Sequence, residues 1–388
     1  MKLILISIGR LPWYRKGEKL FFFYTPRLGL PYIAAVTPPE WETHILDGVQ
    51  VEDVDFNEQA DLVGFSVLTP FAVESYRAAD AYRRLGVTVV MGGVHPTLMP
   101  EEAAGHCDAV VTGEGDEIWP RLLADFSAGR LKKFYTQETP VDFASLPGPK
   151  FSAIRNTGGY SVANGLQIVR GCPRGGECGF CVVSRIFGNK HRTMPIDRVV
   201  REIESRAEDA GSSGINVSAS CAMNHTPYIR AFAEAVKPLK IRWSGGALLH
   251  GLDVSLFGKF KASGCEYIYT ETGVPSQRKD PGKYNRYREI ISRLHDNGIE
   301  ISYNFTVGLD TDTRDVFEEV MSFIDENNLQ TRFCAIQLFV PWPGTDVHKR
   351  VEKEGRITDR DWSHYDNTRA VFRPKLMSVK EFESHGKE

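Results

Sequence analysis

Twice along these 388 residues, short runs of apolar and β-branched residues alternate with stretches of helical periodicity. This double alternation restricts the fold more than any other feature, because a β/α series folds as a mainly parallel sheet covered by its crossover helices. In the first series strands are expected at 2–8, 43–46, 61–67, 87–92 and 108–111, with helices at 28–36, 71–85 and 117–126. The segment 61–67 is almost continuously apolar, as a strand buried on both faces must be. The expected architecture is a doubly wound, Rossmann-like open sheet over residues 1–127, with its ligand-bearing loops at the carboxyl ends of the strands.

Periodicity then fades. Residues 128–160 carry Arg130, Lys132 and Lys133 followed by Pro140, Pro147 and Pro149, the composition of an inter-domain linker. A second series follows, with strands expected at 166–169, 214–217, 241–245, 267–270, 301–307 and 333–339. Helical patterns lie between them, near 195–210, 226–236, 252–263, 283–297 and 314–327. Six units fall short of the eight of a closed barrel, so 161–345 is expected to form a partial (β/α)6 barrel, with its site at the strand C-termini. Residues 346–388 look like a short polar tail.

Composition narrows the function classes. Lys+Arg 47 against Asp+Glu 50 gives a net charge of −3, which argues against nucleic acid as a partner. No apolar run reaches the roughly 18–20 residues of a membrane span. The N-terminus lacks the basic-then-apolar pattern of an export signal, so a cytoplasmic chain is expected.

Of seven cysteines, Cys172, Cys178 and Cys181 fall within ten residues, in a loop directly after the first expected barrel strand. Thiolates select zinc, copper(I) or iron–sulfur clusters. A closed zinc site needs four ligands, and no second Cys-x-x-Cys or neighbouring His pair supplies the fourth. Three thiolates suit a [4Fe–4S] cluster with one iron left open. The remaining cysteines, Cys221 among them, read as buried thiols, although Cys221 lies close enough to the second barrel strand to be an added ligand.

The string Arg170-Gly-Cys-Pro…Cys178-Gly-Phe-Cys181 after a barrel strand resembles the cluster loop of the radical S-adenosylmethionine (SAM) superfamily. Asp61-Leu-Val-Gly-Phe-Ser-Val-Leu-Thr-Pro70, Gly92-Gly-Val-His-Pro-Thr97 and Val111-Thr-Gly-Glu-Gly-Asp116 resemble the cobalamin-binding domain of its B12-dependent branch. Gly308-Leu-Asp-Thr-Asp-Thr313, Pro341-Trp-Pro-Gly-Thr345 and Asp361-Trp-Ser-His-Tyr365 resemble later segments of that branch, in the same order. The resemblance covers about residues 1–375. It implies that Cys172, Cys178 and Cys181 hold the cluster, and that the open iron chelates SAM. Reductive cleavage then yields a 5′-deoxyadenosyl radical that attacks an unactivated C–H bond, with the electron arriving from an external flavodoxin- or ferredoxin-type donor. Phe180 would offer backbone contacts to the adenine, or is simply a packing residue.

Three departures from the family pattern stand out. Five residues, not three, separate the first two cysteines. Where relatives carry an Asp-Asp-Asn-like string for the methionine part of SAM, this chain has Ala219-Ser220-Cys221, leaving Ser218, Ser220 and Asn224 as uncharged substitutes with weaker contacts. On the fourth barrel strand the acid stands two residues early, as Glu271, either an inward functional carboxylate or a salt-bridged structural one. In the first domain no Asp-x-His-x-x-Gly string is present. Ser66, Thr69, Gly92, Gly93, His95 and Glu114 lie where a corrin could rest, and His95 either touches it or caps the next helix. Three functions follow from the resemblance. One is cobalamin-dependent C-methylation of a bulky apolar substrate, tetrapyrrole- or lipid-like. A second is radical oxidation of a substrate methyl group, as in conversion of the bacteriochlorophyllide C-7 methyl to formyl, without need of cobalamin. The third is a non-catalytic cofactor-binding protein.

Overall fold

The structure is a computed structural model that describes residues 1–9, 27–156, 165–174, 178–210, 214–218, 222–273, 280–329 and 334–384. Its first unit contains β1 (Lys2–Ile8), α1 (Gly29–Val36), β2 (Glu42–Val49), β3 (Leu62–Ser66), α2 (Ala72–Arg84), β4 (Thr88–Gly92), α3 (Val94–Leu98), α4 (Pro100–Ala104), β5 (Ala109–Thr112), α5 (Ile118–Ser127) and β6 (Phe134–Thr136). The sheet runs β2-β1-β3-β4-β5-β6 with every pairing parallel. Chain order reverses between β1 and β3, and such a reversal opens a crevice at the carboxyl ends of these strands. Ile4, Ile6, Val63 and Val89 pack one face against α2, while Leu3, Leu5, Leu62 and Val90 pack the other against α1 and α5.

β6 lies inside the stretch whose composition reads as a linker. It is too short for periodicity to betray it, with Tyr135 alone buried between two exposed neighbours. The same stretch returns to the sheet further on: Ile154 bridges to Ile45, and the Asn156 amide donates to the Asp47 carbonyl.

The second unit contains β7 (Gly165–Gln167), β8 (Val169–Arg170), α6 (Val183–Phe187), β9 (Arg192–Thr193), α7 (Ile196–Ala210), β10 (Ile215–Ser218), α8 (Thr226–Val236), β11 (Trp243–Gly246), α9 (Phe257–Ala262), β12 (Cys265–Gly273), α10 (Pro281–Asp296), β13 (Glu300–Val307), α11 (Val316–Glu326) and β14 (Cys334–Leu338). A parallel arc of six strands runs β7-β10-β11-β12-β13-β14, as the six-unit periodicity predicts. Side chains alternate cleanly on β13: Tyr303, Phe305 and Val307 join the helix-side core, whereas Ser302, Asn304 and Thr306 take the opposite face. Helix starts follow ordinary capping chemistry. The Asp280 carboxylate accepts from the Lys283 amide, with Pro281 in the first turn where its missing N–H costs nothing.

The C-terminal segment, α12 (Asp346–Lys353), a turn at Trp362–His364 and α13 (Val379–Ser384), is less polar in effect than its composition suggests. Tyr365, Val371, Phe372 and Phe382 are fully buried. Trp362 reaches back to the first unit, its indole donating to both oxygens of Glu102 at 2.9 and 3.1 Å. Among the described residues, no helix is long and apolar enough to cross a membrane.

Candidate functional site

At the carboxyl ends of β1, β3, β4 and β5 a half-open cavity of about 300 Å³ lies between the two units. Its depth comes from residues that are small where the sheet would otherwise close. A Cβ on Gly64 would stand 2.8 Å from Leu5 Cδ2 and 3.2 Å from the Trp119 ring, so glycine keeps this floor open. Gly93 has φ +98°, and a Cβ there would lie 2.9 Å from the Val67 amide nitrogen, so the turn at the rim requires glycine for its backbone as well as for space. Leu28, Tyr32 and Ile33 form one wall, and Gln167, Arg170, Ile186 and Phe187 of the second unit form another. A mainly apolar cavity with a few polar groups at its edge is the ordinary form of a cofactor site.

Of the six first-unit candidates, Ser66, Gly92, Gly93 and Glu114 line this cavity. Thr69 and His95 do not. His95 is fully buried, with Nδ1 3.2 Å from Thr69 Oγ1 and Nε2 3.3 Å from Glu102, against the rings of Tyr76 and Trp362. Its two nitrogens thus join α3 to the turn before α2 and to α4, while its ring rests on Trp362 of the C-terminal segment, which accounts for a polar residue so deep in the fold. Glu114 lines the cavity with its carboxylate already committed. Oε1 accepts from Arg170 Nη1 at 2.9 Å, and Oε2 lies 2.9 Å from Arg192 Nη2 and accepts the Val141 amide at 3.2 Å.

Arg170 and Asp116, whose roles sequence reasoning missed, complete this network. The Arg170 guanidinium donates to Asp116 Oδ2 at 2.7 Å and Oδ1 at 3.2 Å, and its Nε donates to Gln167 at 2.9 Å. Its carbon lies 4.7 Å from the Phe143 ring centroid and 5.2 Å from that of Tyr32. The available signal was the pairing of charge in two motifs: Arg170 directly precedes the cysteine loop, and Glu114 and Asp116 sit in the Thr-Gly-Glu-Gly-Asp string.

The cysteine loop begins two residues beyond Arg170. Gly179, at φ +59°, turns it between Cys178 and Cys181, and the Val347 amide of α12 donates to the Gly179 carbonyl at 3.3 Å. Phe180 is 41% exposed, its ring set edge-on to Phe339 at 5.7 Å beside the end of β14. Burial pushes the Cys181 thiol above its ordinary pKa, and the negative potentials of Cys178, Cys172 and Glu271 push it further. The three thiols and Glu271 therefore share one electrostatic environment. Among the described residues, no group of three or more His, Cys, Asp or Glu side chains is drawn into a preformed metal site. The donor set nevertheless fits an iron–sulfur cluster, because Cys172 and Cys178 lie close enough to act on the Cys181 thiol, and three neighbouring thiols are the soft donors that such a cluster takes.

Glu271 sits on the non-core face of β12, beside Asn304 in register and within hydrogen-bonding reach of the Thr306 hydroxyl. The surrounding protein raises its carboxyl above the ordinary value, and Thr306 partly offsets this. Ser218 ends β10 at the same rim, while Ser220 and Cys221 lie outside the described residues. Asn224 is not available to a ligand in the expected way. Its amide donates to the Leu248 carbonyl at 2.8 Å and accepts the Leu248 amide at 2.7 Å, clamping the turn after β11.

Residues 21–123 match the B12 binding domain family, and residues 166–324 match the radical SAM superfamily. The bacteriochlorophyllide d C-12(1)-methyltransferase of Chlorobaculum tepidum is 29% identical over 82% of this chain and 71% of that enzyme. The bacteriochlorophyllide d C-8(2)-methyltransferase of the same organism is 26% identical over 92% and 84%. In fold, the chain is similar to the radical SAM methyltransferase TsrM of Kitasatospora setae, solved with cobalamin and a [4Fe–4S] cluster bound. The TM-score is 0.69, at 15% identity, over 98% of this chain and 84% of that one.

Proposed function

Because this chain belongs to the radical SAM superfamily, in the branch that carries an N-terminal B12 binding domain, we propose that it methylates an unactivated carbon of a bulky, mostly apolar substrate of the tetrapyrrole class. One observation carries the reading: a glycine-floored cavity between the two units is walled by Arg170 and by Ile186 and Phe187, the residues that flank the loop bearing the three thiols. When bound, a [4Fe–4S] cluster with SAM supplies one-electron cleavage of a sulfonium, and cobalamin supplies a carrier for a methyl group.

The chain's own residues divide the remaining work. Cys172, Cys178 and Cys181 would hold three irons as thiolates, leaving one iron open. Ser66, Gly92 and Gly93 would let a flat macrocycle approach the backbone at the carboxyl ends of β3 and β4. Glu271, on the open face of the arc beside the thiols, would fix a polar group of SAM or substrate, and Ser218 at the adjoining rim would add an uncharged contact. Exposed Phe180 would cover the adenine side of the loop. An external flavodoxin- or ferredoxin-type protein would deliver the electron.

The test is anaerobic turnover of the reconstituted chain with SAM, dithionite and a bacteriochlorophyllide, quantifying 5′-deoxyadenosine and S-adenosylhomocysteine with and without cobalamin. Methylation requires both products, with S-adenosylhomocysteine dependent on cobalamin. Deoxyadenosine that ignores cobalamin would overturn methylation in favour of oxidation of a substrate methyl group.

A further inference from the structure

The cysteine loop hangs from a very short antiparallel pair, β8 with β9, in which Arg170 stands directly opposite Arg192. Like charges facing each other across a strand pair are destabilising. This pair closes all the same, because a carboxylate from the other unit lies between them: Glu114 accepts from Arg170 at 2.9 Å and from Arg192 at 3.2 and 2.9 Å. With Asp116 on the far side of Arg170, two cations meet two anions and the buried set is neutral. The Arg170 and Glu114 side chains are 4% and 1% exposed, so neither is relieved by water.

The same side chains also wall the cavity. Glu114, Asp116, Gln167, Arg170 and Phe187 all line it, and Arg192 donates to the Phe187 carbonyl at 2.9 Å. Phe187 ends α6, the helix into which the cysteine loop runs after Cys181. Both stems of the loop thus rest on groups that a molecule in the cavity would touch.

We infer that Glu114 is a positioning residue for the cluster loop, closing the Arg170–Arg192 pair so that filling of the cavity and retention of the cluster are thermodynamically coupled. The inference rests on the assignment of the cluster to Cys172, Cys178 and Cys181. Contacts from cobalamin to the cavity-lining side chains Glu114, Asp116, Arg170 and Phe187 favour the closed pair, and the closed pair holds the loop in its ligating shape. Linkage makes the effect reciprocal: an assembled cluster tightens cobalamin binding by the same factor.

The experiment uses the full chain, reconstituted anaerobically with iron and sulfide, with or without hydroxocobalamin. Loss of cluster absorbance to a strong iron chelator is timed, and the EPR spectrum of the reduced cluster is recorded with SAM. In the wild type, bound cobalamin slows cluster loss. Glu114→Gln, which keeps the shape and removes the charge, loses its cluster roughly 10–100-fold faster, the range typical of residues that orient metal ligands. Cobalamin no longer protects that variant, and its EPR signal broadens as the loop samples several shapes. Adding Arg192→Gln to Glu114→Gln restores neutrality and recovers part of the protection.

A wild-type cluster indifferent to cobalamin would overturn the inference, as would Glu114→Gln with wild-type cluster loss and protection. Should Glu114→Gln fail to fold, Arg192→Gln alone, which leaves Glu114 on Arg170, must still weaken protection, and unchanged protection there overturns the inference equally. Failure of the underlying assignment has a different signature: full iron in Cys172→Ala, Cys178→Ala and Cys181→Ala alike.

Discussion

The two halves of the candidate site are built in opposite ways. The cavity between the units is finished by packing: its floor is opened by Gly64 and its rim turned by Gly93, its walls are mostly apolar side chains, and its polar edge is a neutral, hydrogen-bonded network. The rim of the second unit is unfinished. Its thiols share a potential without converging, Phe180 is exposed, and loss of hydration pushes the Glu271 carboxyl toward its neutral form, with Thr306 offsetting part of this. A site finished by packing is sensitive to shape, whereas a site completed by its ligand is sensitive to charge and donor count. The two should therefore fail differently.

The largest expected effect is at the unfinished rim. Replacing Cys172, Cys178 or Cys181 by Ala should abolish cluster assembly and all SAM cleavage, read as iron content and 5′-deoxyadenosine, while hydroxocobalamin still binds, less tightly by the coupling factor. Loss of cobalamin binding in the same variants would break the contrast. Next comes Glu271→Gln. Full iron content with a fall in turnover of about ten- to a hundredfold is expected, the range for losing one hydrogen bond to a charged partner. Unchanged kinetics would return Glu271 to a structural role.

Gly64→Val tests the finished side. Its branched side chain must displace Leu5 or Trp119, costing about 1–3 kcal/mol of stability by overpacking. It should weaken cobalamin binding while leaving iron content at the wild-type level. Thermal unfolding and a hydroxocobalamin titration measure the two effects, and a variant that binds cobalamin normally would relocate the site.

The smallest effect expected is the pH dependence of the C-terminal clasp. Burial opposes the charge on Glu102, but the hydrogen bond and charge of His95, with Tyr76 and Trp362, outweigh it and hold its pKa below the ordinary value. A carboxyl depressed in the folded state contributes stability above the unfolded-state pKa of about 4.3 and loses it as pH falls through the folded value. Acidification below about pH 4.3 should therefore lower the melting temperature more in the wild type than in Glu102→Gln, with indole fluorescence reporting release of Trp362. Parallel melting curves for the two proteins would remove Glu102 from the clasp.

What could be read from the sequence divides along the same line. The six-strand arc, the open sheet and the cysteine loop were legible because each is written in local period or spacing. The destinations of polar side chains were not. His95, Thr69 and Asn224 follow strand ends, where a ligand contact was reasonable, yet their partners are Glu102, one another and the Leu248 backbone. Glu114 lies at the cavity, yet its carboxylate serves Arg170 and Arg192, 56 and 78 residues away. Pairings at that separation leave no trace in a window of ten or fifteen residues. β6 escaped notice for a different reason, since three residues with one buried side chain carry no period.

Trp362 on Glu102 has one more consequence. The units are joined covalently through residues 128–164, by the Arg170–Glu114 pair, and again where the end of the chain returns to α4. A chain fastened to itself in this way is a ring with two latches, and one latch sits in the wall of the compartment it encloses. Separation of the two units then requires both latches to release together, so loss of either one alone should leave the ring closed.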